Sequence, residues 1–267
     1  MGWRKGFVLL GKGVMVTVVF LSLSIMMAGL ATEAVAAIPL ITDDTGTQGK
    51  GKFQLEVLGE YDHDKEEGLK GETEGVTASL LYGILDPVDI AFSVPYAFWR
   101  EKEGGSTEKD DGLADLSLEA KWRFFEREGF SLALKPGLTL PSGDEDKGLG
   151  AGKMGGYVFL LASKEISPWA FHLNLGYIRN ENKIDERYDL WHASLAASYE
   201  LIKSVKLVGD IGMEDNPDRG SSIDPAYILG GFIYSPLENF DIAVAIKGGL
   251  TDTEADFGVR GGIAWRF

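Results

Sequence analysis

Apolar and polar residues alternate with a period of two along most of the chain after residue 52, which is the pattern of β-strands. Segment 113–125, LADLSLEAKWRFF, carries Ala114, Leu116, Leu118, Ala120, Trp122 and Phe124 on one face and charged or small polar residues on the other. The pattern predicts about twelve strands, at 52–62, 75–85, 88–99, 113–125, 130–143, 154–163, 169–178, 190–200, 205–214, 226–234, 240–250 and 255–267.

The connections between these strands alternate in length. Short connections such as LDPVD and EREG take turns with long, charged ones near 63–74, 100–112, 143–152, 179–188 and 214–224. Tight turns at one end and long loops at the other are typical of up-and-down barrels in the bacterial outer membrane. An even number of strands places both ends of the barrel on the periplasmic side.

Aromatic residues lie near the strand ends, as in the pairs Trp122 and Phe124, Trp169 and Tyr177, and Trp191 and Tyr199. This placement suits aromatic girdles at two membrane interfaces. In a soluble barrel the apolar face would point to the core, whereas in a membrane barrel it contacts lipid. We therefore predict an all-β protein: a closed, up-and-down, transmembrane antiparallel β-barrel over residues 53–267.

Residues 1–37 combine a basic start, an apolar stretch and a small-residue end, which predicts a secretory signal peptide cleaved after Ala36 or Ala37. A transmembrane anchor is the alternative, since the apolar stretch approaches spanning length. Residues 38–52 are then either a simple lead-in to the barrel or a plug. As a gate, Asp43 and Asp44 would reach a cationic patch such as Arg260 or Arg266.

The last strand ends in Trp265 and Phe267 on its apolar face. This ending resembles the signal by which outer-membrane barrels are recognised, so we expect the barrel-assembly machinery as a partner. Outer-membrane lipid is the second expected partner.

The formal net charge of −15 argues against nucleic acid as a partner, because phosphate binding needs a positive surface. The chain has no cysteine, and its sequence has no zinc-ligand spacing and no phosphate-binding loop. We expect no cofactor, no metal and no catalytic residues.

The polar faces of the strands provide candidates for a solute path. Twelve tilted strands form a closed barrel with a backbone diameter of roughly 24 Å, which is wide enough for small solutes. The residues predicted to line this path are Asp115, Glu119, Lys121, Arg123, Lys135, His172, Asn174, Glu200, Lys206, Asp210, Lys247 and Arg260. These charges either line a channel or pair with one another and close the lumen.

Two other functions remain open. His192 and Ser194 on one strand, with Asn174 on its neighbour, are similar to the catalytic set of an outer-membrane phospholipase. The side chains of His192 and Ser194 are predicted to face the lumen, away from lipid. A structural or adhesive barrel acting through its acidic outer loops is the other alternative.

Several stretches also resemble one known family. IPLITDDTGTQGKGKFQLEV, YGILDPVDIAFSVPY, GLADLSLEAKWRF and LKPGLTLPSG are similar to segments of the outer-membrane family named for the meta-cleavage pathway of phenol degradation. The resemblance runs from about Ile38 to Phe267. It implies an exported outer-membrane protein that helps to move small, often aromatic or apolar, molecules. It supplies no established functional residues for transfer to this chain.

Overall fold

The computed structural model describes residues 38–66 and 69–267. The predicted signal peptide, residues 1–37, lies outside this range. In the described range the chain forms strands β1 Phe53–Glu66, β2 Leu69–Leu85, β3 Val88–Glu103, β4 Ser106–Leu113, β5 Leu116–Arg127, β6 Phe130–Leu140, β7 Gly155–Ile166, β8 Trp169–Arg179, β9 Asp189–Ile202, β10 Val205–Glu214, β11 Ala226–Leu237, β12 Phe240–Gly249 and β13 Phe257–Arg266, with one short 3₁₀ turn at Glu145–Lys147. No helix in this range is long and apolar enough to cross a membrane.

Each strand pairs antiparallel with its neighbours, and the sheet closes on itself. β1 pairs with both β2 and β13, and the remaining strands follow one another around the wall. The C-terminal half of β3, 96–103, pairs with β4, and its N-terminal half, 88–93, pairs with β5. β4 and β5 therefore share one strand position in the barrel wall. The result is the predicted closed up-and-down antiparallel barrel, with twelve positions around the wall.

The apolar face of the strands points outward. On β8, Trp169, Phe171, Leu173 and Leu175 are exposed, whereas Asn174 between them is 2% exposed. On β13 Trp265 is exposed and Arg260 is buried, and Phe267, which follows the strand, is exposed as well. In a closed barrel the buried polar face must be the inner one, so the predicted orientation of the strands holds here.

Two of the predicted long loops are strands. Residues 63–74 and 100–112 are largely the extended tips of the β1–β2 and β3–β4 hairpins. Glu72 of β2 pairs across the ladder with Arg100 of β3 and along its own strand with Lys70. Both faces of these tips carry polar residues, so they lack the period-two apolar pattern that reveals the lipid-facing strands.

The predicted strand 113–125 is interrupted at Ala114 and Asp115, between β4 and β5. Ala114 is 2% exposed and packs with Trp99 and Leu149, so it does not share the outward face of Leu118 and Trp122. Pro95 on the facing strand provides no N–H for the ladder at this level, where its carbonyl accepts from the Ala114 N–H.

Candidate functional site

Residues 38–48, which we call the lumen strap, contact inner-face residues on widely separated strands. Thr42 bonds to Asp210 on β10, and Asp43 bonds to Lys121 on β5. Four strand positions separate β5 from β10 on one side of the barrel and six on the other. A segment held at both positions must cross the interior of the barrel.

Asp210 anchors one end of this crossing. Its carboxylate accepts hydrogen bonds from the Ile41 and Thr42 N–H groups at 2.8 Å and from the Thr42 hydroxyl at 2.6 Å. Tyr227 donates to the same carboxylate at 3.3 Å. Leu40 packs beside this anchor in a buried apolar cluster with Ala196, Val208, Tyr227, Leu229 and Ala245.

Asp43 forms the other anchor. Its two carboxylate oxygens accept separately from Lys121 Nζ and Lys135 Nζ, each at 2.8 Å. In the amide orientation that satisfies both of its polar atoms, Asn174 donates to the Asp43 carbonyl at 2.8 Å and accepts from the Asp43 N–H at 2.7 Å. The side chains of Asp43 and Lys135 are 2% and 0% exposed, so this contact is closed to solvent.

After Asp43 the strap continues along the inner wall toward the start of β1. The Thr45 N–H donates to Ser163 and the Gln48 N–H donates to Asp89, at 3.1 and 2.8 Å. Gly49 follows with a φ of 84°, in the left-handed region that favours glycine. A Cβ on Gly83 would lie 2.0 Å from the Gly49 carbonyl oxygen, so the two chains meet here at a distance only glycine permits.

The prediction that Asp43 and Asp44 reach Arg260 or Arg266 is wrong. Asp43 binds Lys121 and Lys135, while the Asp44 carbonyl accepts from Lys121 and its carboxylate accepts from the Gly46 N–H. Arg260 donates to the Pro39 carbonyl at 3.0 Å and pairs with Glu60. Arg266 pairs with Asp241 at the end of its strand. The strap crosses to the far wall before Asp43 is reached, which takes its carboxylate away from both arginines.

The other predicted path residues have different surroundings. Asp115 accepts from the Gly143 and Ala151 N–H groups, and so holds the loop between β6 and β7. Glu119 accepts from Tyr157, and Lys247 pairs with Asp62 and Glu254. Arg123 pairs with Glu126, and His172 forms a hydrogen bond with Ser163. Glu200 and Lys206 are exposed and lie near the strand ends.

The inner wall also has an apolar surface that the alternation rule did not predict. Tyr157, Phe159 and Leu161 of β7 are buried with three residues of neighbouring strands, Ala133, Ile178 and Leu190. Most residues on both faces of β7 are apolar. This pattern in the sequence could have identified the apolar inner surface. The Tyr157 and Phe159 rings lie over Gly137 and Gly176, where an added Cβ would come within 2.1 and 2.4 Å of the ring atoms.

His192 and Ser194 also bond to each other, but their third partner is not Asn174. His192 Nε2 lies 2.9 Å from Ser194 Oγ, and His192 Nδ1 lies 3.1 Å from Glu214 Oε2. Asn174 instead binds the backbone of Asp43. Ser194 is 4% exposed, and its Cβ lies 2.8 Å from where a Cβ of Gly212 would stand. The hydroxyl therefore lies in a packed wall.

Comparisons with known proteins agree with this architecture. A family model described as "Putative MetA-pathway of phenol degradation" matches residues 39–267. The COG4313 outer membrane channel from Pseudomonas putida F1 is 16% identical with a TM-score of 0.70, over 84% of this chain and 98% of that chain. The beta domain of the Bordetella autotransporter BrkA is 12% identical with a TM-score of 0.56, over 82% and 100%.

The NanC porin is 8% identical with a TM-score of 0.55, over 79% of this chain and 98% of that chain. At these identities the likeness shows the barrel fold, which a channel, a porin and an autotransporter domain share. No curated protein matches the sequence.

Proposed function

Because the chain belongs to the family described as "Putative MetA-pathway of phenol degradation", we propose that it is an outer-membrane channel for small, aromatic or apolar molecules. In this proposal the lumen strap closes the channel at rest. The lumen-facing residues predicted from the sequence then have two roles, as anchors of the strap and as lining of the path that opens when it leaves.

The observation that carries this proposal is the way the strap is held. Besides the packing of Leu40, the strap is linked to side chains of the wall by hydrogen bonds and ion pairs, with Asp210, Lys121, Lys135 and Ser163 among the partners. Each is a reversible contact between residues far apart in sequence, whereas the wall itself is a continuous ladder of backbone hydrogen bonds. The strap can therefore leave without opening the barrel.

Ion conductance across planar lipid bilayers tests the proposal. We expect rare, brief openings from the intact barrel and frequent openings after deletion of residues 38–48 or in the full-length double variant Thr42→Ala, Asp43→Ala. Lys203→Gln, a change at an exposed turn, serves as the matched control. Heat-modifiable migration on gels shows whether each variant is a folded barrel. Absence of current from folded barrels of both the deletion and the double variant would instead favour the structural or adhesive alternative.

The proposal includes no enzymatic activity. The hydrogen-bonded set His192, Ser194 and Glu214 has the order of a catalytic triad. Ser194, however, is buried and lies against Gly212. We expect a fluorophosphonate probe to leave Ser194 unlabelled and Ser194→Ala to leave solute flux unchanged.

Export and assembly belong to the same proposal. The signal peptide of residues 1–37 would deliver the chain to the periplasm, and Trp265 and Phe267 would present the last strand to the barrel-assembly machinery. The Phe267 ring lies 4.9 Å from Trp265 and stacks at 5.7 Å on Phe53, joining the ends of β13 and β1 on the exposed face. Phe267→Ala should lower the yield of folded barrel in cells more than it lowers the stability of barrel refolded in detergent.

A further inference from the structure

The following inference rests on the proposed channel function and names a ligand for its lumen. We propose that Lys121 and Lys135, together with the inner apolar surface around Phe159, form a binding site for small aromatic carboxylates. In the resting state the Asp43 carboxylate of the lumen strap occupies this site.

The two lysines are placed to share one carboxylate. Lys121 Nζ binds one oxygen of Asp43 and Lys135 Nζ binds the other, both at 2.8 Å. Two cations that bind separate oxygens require a group with two charged acceptors, which a carboxylate provides and a phenol or an amide does not. The geometry therefore fits a carboxylate, the group that occupies the site in this structure, and does not fit a neutral phenol or amide.

Among the described residues, Asp43 is the one acid bonded to both lysines. Asp44 of the strap and Glu119 of β5 add negative charge near Lys121. The side chains of Lys121 and Lys135 are 10% and 0% exposed, and an unpaired ammonium group in such a position is costly. Asp43 and Asp44 both belong to the strap. Departure of the strap therefore leaves Glu119, which accepts from Tyr157 at 2.8 Å, as the remaining one of these acids that acts on Lys121. When the strap leaves, an incoming carboxylate would replace Asp43.

An aromatic surface adjoins the cations. Lys135 Nζ lies 5.5 Å from the centre of the Phe159 ring, and the Tyr157 ring meets Phe159 edge-on at 5.7 Å. Leu161 and Ala133 continue the same buried apolar cluster. A ligand that joins a carboxylate to a ring would satisfy both halves of the site, and an acetate ion would satisfy one.

Occupancy of the site and closure of the channel are therefore linked. Asp43 and a free carboxylate compete for the same two lysines, so ligand binding favours the state in which the strap has left. The strap thus acts as an internal competitor that a substrate of matching chemistry displaces.

Chemical complementation of the full chain tests the site. In Asp43→Ala the strap no longer carries the carboxylate that competes for the two lysines, so it leaves more readily and benzoate should bind at least about 10-fold more tightly than to the unsubstituted protein. Acetate should bind more weakly than benzoate, and benzamide should not bind. Isothermal titration calorimetry in detergent at constant ionic strength measures all three ligands.

Further substitutions assign the binding to these residues. Lys135→Gln or Lys121→Gln, each combined with Asp43→Ala, should weaken benzoate binding by about 10-fold or more, as expected for the loss of one charge-assisted hydrogen bond. Lys203→Gln with Asp43→Ala is the matched control and should bind as Asp43→Ala does. If Asp43→Ala does not refold, the near-isosteric Asp43→Asn replaces it in every combination.

Equal binding of benzamide and benzoate, or benzoate binding that survives loss of either lysine, would overturn the site. These measurements detect binding without current, so a barrel that binds benzoate but never conducts would refute the channel and leave the site. A barrel that conducts after deletion of the strap, yet whose Asp43→Ala variant ignores benzoate, would refute the site and leave the channel.

Discussion

Thr42 and Asp210 meet through two hydrogen bonds, although they are 168 positions apart in sequence. The Thr42 N–H donates to one carboxylate oxygen at 2.8 Å and the Thr42 hydroxyl donates to the other at 2.6 Å, with both residues buried. This paired contact orients the strap as well as holding it, because a carboxylate that accepts two bonds from one residue restricts rotation. It also places the next residue, Asp43, toward the lysines of the opposite wall.

Asp210→Asn should release the strap more often. The amide can accept through one oxygen only, so at least one of the buried donors of Ile41 and Thr42 loses its partner. A loss of about 1–2 kcal/mol corresponds to a roughly 5- to 30-fold rise in the open fraction. Single-channel recording measures that fraction, and amide exchange at Thr42 reports the same event without current. Asp252→Asn in an exposed outer loop is the control, and equal behaviour of the two variants would contradict the anchor role.

Glycines beneath the inner aromatic rings should be sensitive to a single methyl group. A Cβ on Gly137 would stand 2.1 Å from the Tyr157 ring, and one on Gly176 would stand 2.4 Å from Phe159. Gly137→Ala and Gly176→Ala should each lower the free energy of unfolding by about 1–3 kcal/mol through overpacking. Gly230→Ala is a matched control, because nothing lies within 4 Å of its added Cβ. Urea unfolding in detergent micelles measures the three variants, and an equal loss in all of them would refute this account.

The sequence predicted the parts of the fold that lipid constrains. Each spanning strand must place apolar residues on one face, so residues such as Leu173 and Trp265 reveal both the strands and their orientation. The hairpin tips at 63–74 and 100–112 carry no such requirement, and their strands were read as loops. β7 was a weak prediction for the opposite reason, since its inner face at Phe159 is as apolar as its outer face.

The candidate site was only partly predictable. Asp43, Lys121, Lys135, Asn174, Asp210 and Arg260 were each singled out as polar residues on inner faces or in the N-terminal segment. Which of them meet depends on where the strap crosses the barrel. That path is set by contacts between residues far apart in sequence, such as 78 positions for Asp43 and Lys121 and 221 positions for Pro39 and Arg260. Alternation along a strand has no information about such pairings, so Asp43 was assigned the wrong cations.

Asp115 should control the loop between β6 and β7. Its carboxylate accepts from the Gly143 and Ala151 N–H groups at 2.9 and 2.8 Å, and Trp99 donates to the Lys147 carbonyl of the same loop. Asp115→Ala removes both acceptors at once, so residues 143–151 should be cleaved at least several-fold faster by added protease. Asp146→Ala, an exposed position in the same loop, should change the cleavage rate little. Unchanged protection in Asp115→Ala would show that Leu149 and Trp99 hold the loop without it.

Glu186 should make the outer loop at 180–188 sensitive to pH. Burial raises the pKa of its carboxyl to about 7, and Asp218 adds to this effect, whereas the hydrogen bond from Asn180 opposes it. Its Oε1 atom has no hydrogen-bond partner among the described residues, although Arg219 binds the backbone carbonyl of the same residue. Ionisation of this carboxyl is therefore less favourable in the folded loop than in the open one.

Since the folded pKa lies above the ordinary value, the protonated form contributes its stability fully below about pH 4.5. That stability is lost as the pH rises through about 7 and amounts to at most about 3 kcal/mol. Hydrogen exchange in residues 180–188, corrected for the intrinsic rate, should accelerate from pH 5 to pH 8. Glu186→Gln should flatten this dependence, whereas Asp185→Asn, at an exposed position of the same loop, should keep it. A dependence as steep in Glu186→Gln as in the unsubstituted protein would place the titrating group elsewhere.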